Sequence, residues 1–278
     1  MPAAFLPDHV LIRVTGPEAE HFLQNLITTD VESLPTGEAV PGALLTPQGK
    51  ILFDFIVWRE GDGFALDTTD SQRDGLIKRL TMYKLRSKVE ITPAEDPGVT
   101  VIWGDTYPDG AVEDARFAAA GIPVARLPGR HGEHPRDGYE ALRVLAGIVE
   151  SGHDFTLEDA FPHDIGFDLN RGVSFKKGCY VGQEVVSRMQ HRGTARRRTV
   201  ILSAEAPLPP AGTTITAAGK PIGELGTVAG TRGLAIVRID RAGEALASGA
   251  AVLAGDTPVD AMLPSWTGLS FPTSSEEA

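Results

Sequence analysis

Apolar residues recur in two periods along the first third of the chain, and each switch between them marks an element. Val10 to Val14 alternates as a short strand. Thr15-Gly16-Pro17-Glu18 follows with the spacing of a capping box and a proline in the first turn, which predicts a helix. Ala19, Phe22, Leu23 and Leu26 then recur at helical spacing until Thr28-Thr29-Asp30 breaks the pattern. Ala43 to Thr46 and Ile51 to Trp58 flank Pro47-Gln48-Gly49, the composition of a hairpin turn. Phe64 to Asp67 reads as a further strand. Leu76, Ile77, Leu80 and Tyr83 mark a second helix, and Lys88 to Ile91 a strand after it. This order resembles a split βαβ arrangement, with helices covering one face of an antiparallel sheet.

Residues 92–138 are rich in proline and glycine and read as loops and boundaries around one strand, Val99 to Trp103. Tyr139 to Ala146 has helical spacing, and Gln183 to Arg188 has the composition to begin another helix. Thr199 to Leu202 reads as a strand, ahead of the proline-rich break from Ala206 to Gly212. Short β-prone runs at 213–216, 225–229, 234–239, 251–254 and 257–262 then predict a small barrel or sandwich.

Composition adds limits. The 42% hydrophobic and 23% charged content is that of an ordinary folded protein, and 278 residues give a prior of about two domains. No apolar run reaches the roughly 18 residues of a membrane span, and the opening residues have no basic region typical of a signal peptide. With a single cysteine there is no internal disulfide, which leads us to expect a cytoplasmic setting. The net charge of −11 argues against general nucleic-acid affinity. Residues 176–198 reverse it locally, with Lys176, Lys177, Arg188, Arg192, Arg196, Arg197 and Arg198 against Glu184 alone. This segment reads either as a solvated cationic face or as a site for a carboxylate or phosphate tail, with RNA a third reading.

The chemistry centres on Cys179. A lone cysteine is by default a small buried hydrophobe. Here glycines stand at 178 and 182, Lys177 is two residues away and a helix start follows, a context that favours a reactive, exposed thiol. No second cysteine is present to close a metal site, so neither a resident cluster nor a structural zinc on cysteines is expected. His131-Gly132-Glu133-His134 lacks the helical spacing of a zinc protease, and the P-loop, GxGxxG and GxSxG signatures are absent.

The run KKGCYVGQEVVSRMQHRGTARRR resembles the signature of the YgfZ-type folate-binding proteins, a branch of the aminomethyltransferase (glycine cleavage T-protein) superfamily. VTGPEAEHFLQNLITTDV, LLTPQGKILFDFIVW and YKLRSKVEI are similar to further segments of that superfamily. The resemblance implies an α+β fold, with two mixed, ferredoxin-like parts around a central cavity and a C-terminal β-barrel. It divides the chain into a folate-binding region at 1–198, a barrel at 199–270 and a disordered tail at 271–278. It also implies tetrahydrofolate or a one-carbon derivative as ligand. Iron-sulfur enzymes or cluster carriers are the implied partners, with a transient cluster contact and a link to tRNA thiomethylation.

By the same resemblance Cys179 and Lys177 are the working groups, and Gly178, Tyr180, Gly182, Gln183, Glu184 and Arg188 complete the motif. Asp54, Arg143, Arg196 and Arg197 are candidate folate contacts. One departure stands out: Leu145 occupies the place of a folate-recognising glutamate in T-proteins, and leucine makes none of its hydrogen bonds. The leading expectation is therefore an accessory factor for cluster assembly or repair, with no membrane partner. A folate-dependent aminomethyltransferase-like enzyme is the alternative.

Overall fold

A computed structural model of the chain describes residues 1–95 and 98–272. Most of the tail expected at 271–278 therefore lies outside the described residues. The chain divides into two compact units, Met1–Gly138 with Phe167–Gln183, and Tyr139–Gly166 with Glu184–Ala278.

In the first unit the strands are β1 (Ala3–Leu6), β2 (His9–Thr15), β3 (Glu38–Leu45), β4 (Ile51–Glu60), β5 (Gly63–Thr69), β6 (Glu90–Pro93), β7 (Val99–Trp103), β8 (Val112–Asp114) and β9 (Val124–Pro128). The helices are α1 (Ala19–Gln24), α2 (Asp70–Lys84) and α3 (Ala115–Ala119), with α4 (Arg136–Ala146) running into the second unit. The nine strands form one sheet in the order β1-β7-β9-β8-β3-β4-β5-β2-β6. All pairings are antiparallel except the short β3–β8 contact. Helices α1 and α2 supply Ala19, Phe22, Leu23, Leu76 and Leu80 to a core completed by Ile12, Val40, Val57 and Leu66.

The sheet does not stay flat. Arg126 on β9 meets Asp67 on β5, four strands away in the pairing order, whereas neighbouring strands are spaced about 4.8 Å apart. The sheet therefore folds over near the β3–β8 junction, and Leu11, Trp58, Ala65, Val99 and Val112 pack together in the fold.

The second unit closes six strands into a barrel: β10 (Arg197–Ser203), β11 (Thr214–Ala217), β12 (Lys220–Ala229), β13 (Arg232–Arg238), β14 (Val252–Ala254) and β15 (Thr257–Met262). Closure leaves no free edge. Val200, Leu202, Ile215, Leu225, Val237 and Val259 fill its interior. Helix α5 (Gln183–Arg192) precedes the barrel and α6 (Ile239–Ala247) joins β13 to β14. Phe271 packs against the barrel core.

The mixed α/β region and the barrel match the expected fold class. Three local readings are corrected. Residues 92–138 hold β8, α3 and β9 as well as β7, because a buried arginine sits in the middle of β9 and interrupts its apolar pattern. Helix α1 starts at Ala19 without a side-chain cap, and the Glu18 carboxylate instead accepts a hydrogen bond from the Lys88 backbone N–H at 3.1 Å. Helix α6 lies almost wholly in the gap between the strands expected at 234–239 and 251–254, where no helix was expected.

Candidate functional site

The segment before the thiol is held by the first unit's own backbone. Thr28 exchanges backbone hydrogen bonds with its neighbours: its N–H donates to Ala43 O at 2.9 Å, and its carbonyl accepts from Ser174 N–H at the same distance. Its hydroxyl donates to Gly172 O at 2.6 Å. The Ser174 Oγ in turn accepts from the Lys176 and Lys177 N–H groups at 3.3 and 3.2 Å. The Lys177 ammonium donates to the carbonyls of Ile27 at 2.8 Å and Thr29 at 2.6 Å. It also lies 5.6 Å from the Tyr180 ring centroid. Burial pushes the Lys177 pKa down to about 8, outweighing the nearby Asp30 and Glu32 charges.

Tyr180 is buried, and no described residue bonds its hydroxyl; burial raises its pKa to about 12. Gly182 takes a left-handed φ of +80°, and a Cβ there would stand 2.5 Å from Thr46 O on the β3–β4 hairpin. Gly178 has nothing within 4 Å of where its Cβ would be. Between these anchors Cys179 is exposed. The loop is pinned on both sides of a thiol that faces solvent.

Lys177 thus tethers the loop. Lys177→Met would leave two carbonyls of the buried Ile27–Thr29 segment without a donor and is expected to cost about 1–3 kcal/mol in urea unfolding. It should also speed proteolytic cleavage of the 174–182 loop. An unchanged unfolding midpoint would refute the tether.

The remaining sequence candidates have other surroundings. Gln183 opens α5 and directs its amide to Gly178 O at 3.5 Å. Glu184 and Arg188 form an exposed pair at 3.1 Å, one turn apart on α5. Asp54 on β4 is half-buried; Gln72 donates to its carboxylate at 2.9 Å and accepts its N–H at 3.1 Å. In the second unit Arg143 is fully buried among Glu140, Glu150 and Asp154. Arg197 pairs with Asp159 and Asp164 at 2.9 and 2.7 Å, and Arg196 is exposed. Arg198 is buried and donates to His163 O at 2.7 Å. Leu145 is 51% exposed. His131 bonds Pro128 O at 2.8 Å and the His134 ring packs on Trp103, and no metal-holding cluster is found among the described residues. The sequence did not single out Thr28 and Thr29 as site residues; their signal was the interruption of the α1 pattern.

A curled mixed sheet, a closed barrel and a pinned, exposed thiol define an aminomethyltransferase-like fold with a cysteine loop. The comparisons agree. Residues 9–104 match the GCVT N-terminal domain family and residues 196–269 the C-terminal β-barrel domain of CAF17. The glycine cleavage system aminomethyltransferase T from Bartonella henselae superposes with a TM-score of 0.71 at 17% identity, covering 95% of this chain and 85% of that one. At that identity the likeness is one of fold. The iron-sulfur cluster assembly factor IBA57 of Mus musculus is 32% identical, over 84% of this chain and 76% of its own length. The Homo sapiens protein is 30% identical with the same coverage, and a Pyricularia oryzae homologue is 31% identical over 68% of this chain, which spans 54% of that protein. The chain belongs to the family of the iron-sulfur cluster assembly factor IBA57.

One expectation is overturned. These relatives are all named as mitochondrial, which contradicts the cytoplasmic setting inferred from the sequence. A single unpaired cysteine shows that no internal disulfide forms and does not tell one reducing compartment from another.

Proposed function

We propose that this chain is an iron-sulfur cluster assembly factor whose working group is Cys179, on the YgfZ-type side of the aminomethyltransferase-like proteins. The observation that carries the reading is the exposed thiol on a loop fixed by Lys177 and Gly182, in a family whose relatives are named as cluster assembly factors. With one cysteine, the chain offers a single thiolate, so the cluster is cargo shared with a carrier or client that supplies the other ligands. On contact Cys179 loses its proton to solvent and its sulfur binds iron in place of a departing ligand, with no change of oxidation state.

Cys179→Ser is the test. The variant should unfold at the wild-type midpoint, because the side chain is exposed, while cells carrying it lose activity of cluster-dependent enzymes. Full enzyme activity in those cells would sink the proposal.

Tetrahydrofolate binding is a separable part of this reading and is supported by the fold alone. Of the four candidate contacts, Arg143 and Arg197 pair with carboxylates of their own unit, and Leu145, where T-proteins carry a glutamate, offers no hydrogen bond. No step is assigned to folate. A titration of wild-type and Cys179→Ser protein with tetrahydrofolate separates the ligand from the thiol.

A further inference from the structure

The last turn of α2 and the residues after it turn Tyr83 toward the core but leave two large apolar side chains, Met82 and Leu85, exposed. Ser87 N–H donates to Lys84 O at 2.8 Å, closing a four-residue turn. Leu85, its first central residue, has φ 47° and ψ −105°, the place that glycine takes in a type II′ turn. A leucine there is strained, and its side chain is 88% exposed. Met82, three residues earlier, is 61% exposed. The base of the turn is firm: Lys88 N–H bonds Glu18, Val89 is buried, and Gly16 lies so close that a Cβ would stand 2.5 Å from Lys88 O. A surface depression of about 660 Å³ runs beside it, lined by Glu18, Leu85, Arg86 and Ser87.

Charge identifies the occupant. Lys78, Arg79, Lys84, Arg86 and Lys88 share this stretch with the two apolar side chains, with no acid in the sequence between Asp74 and Glu90; the one acid lining the depression, Glu18, accepts the Lys88 backbone N–H. Among the described residues none of the five side chains is ion-paired. In a chain of net charge −11 this is a compact reversal of sign. We propose that the turn is a docking knob for a partner protein that presents an apolar cleft rimmed by acidic residues. Leu85 and Met82 would fill the cleft, while the cations steer the encounter and set its register. A nucleic acid fits less well, because aliphatic side chains give bases nothing to stack on, and the acidic remainder of the chain repels a long polyanion. The proposal does not depend on Cys179.

The test places a photo-crosslinking amino acid at Met82 of the full chain in its host cells, with the exposed barrel position Arg232 as control. A protein adduct should form at Met82 and not at Arg232. That protein, purified, should bind the wild-type chain with an affinity that falls as salt rises. Leu85→Gly should weaken binding by about tenfold or more, while its melting temperature stays level or rises, because glycine suits the turn. Cys179→Ser should leave the affinity unchanged, so failure of the cluster reading and failure of this one are distinguishable. The proposal is overturned if no protein adduct forms at Met82, if the adducts are RNA or lipid, or if Leu85→Gly binds the purified partner as tightly as wild type.

Discussion

Replacing Arg126 by methionine should cost about 3–5 kcal/mol of stability at neutral pH, because it strands buried carboxylates. Arg126 is fully buried on β9, and its guanidinium joins Asp67 on β5 to Asp114 on β8, the latter at 2.8 Å. His9 Nδ1 contacts the other Asp67 oxygen at 2.7 Å, and Arg116 grips Asp114 at 2.8 and 3.0 Å. Burial alone would raise both carboxyl pKa values. The Arg116 and Arg126 charges overcome it at Asp114 and hold that pKa at about 2, and the His9 and Arg126 charges keep Asp67 below its ordinary value.

The sign of the pH dependence follows. In the wild type, carboxylates with depressed pKa values stabilise the fold above the unfolded pKa near 4, and Asp114 gives up that contribution only as pH falls toward about 2. In Arg126→Met, Asp114 keeps Arg116 and Asp67 keeps only His9, so burial raises the Asp67 pKa. A raised carboxyl pKa destabilises above the unfolded value, and the variant recovers part of its deficit on acidification. Urea unfolding at pH 7 and pH 4.5 should therefore show a gap that narrows at the lower pH. A gap of under about 1 kcal/mol at pH 7 would show that the arginine does not hold the curled sheet together.

That ion chain also shows what the sequence could not reveal. The β3–β4 hairpin, α2 and the barrel strands were legible because their signals are local: a turn at Pro47-Gln48-Gly49, a stripe at Leu76 and Leu80, and alternation between proline-rich breaks. Strand β9 was not, since Arg126 in its centre is apolar neither in type nor in pattern, and its partner Asp67 lies 59 positions away. The thiol loop divides in the same way. Residue types and spacing marked Cys179 and Gly182, but the tethering of Lys177 depends on carbonyls 150 and 148 residues distant. Arg197, in the cationic segment, and Arg143, through the family resemblance, were candidate ligand contacts; their acids, Asp164 and Asp154, are brought to them only by folding.

Arg143 gives the second large effect. Its guanidinium donates to Glu140 at 2.9 Å, to Asp154 at 2.6 Å, to Ile148 O at 3.0 Å and to Thr227 Oγ1 at 2.7 Å, with Glu150 at 3.5 Å. Asp154 also accepts the N–H groups of Glu150 at 2.8 Å and Thr227 at 2.7 Å, so the cluster fixes the end of α4 to barrel strand β12. Arg143→Met takes the cation from the fully buried Asp154 and its ion pairs from Glu140 and Glu150, and should lower stability by about 3–5 kcal/mol. Arg143→Lys should restore little of it, since one ammonium cannot span donors that a planar fork reaches in several directions. Pairing Arg143→Met with Asp154→Asn should cost less than the sum of the single changes, because each removes the reason the other is harmful. The same variants separate the two roles considered for this arginine. A structural role predicts that Arg143→Met lowers the urea midpoint whether or not tetrahydrofolate is present. A ligand-binding role predicts a normally folded variant that has lost only its folate affinity, and that result would overturn the assignment made from its buried partners.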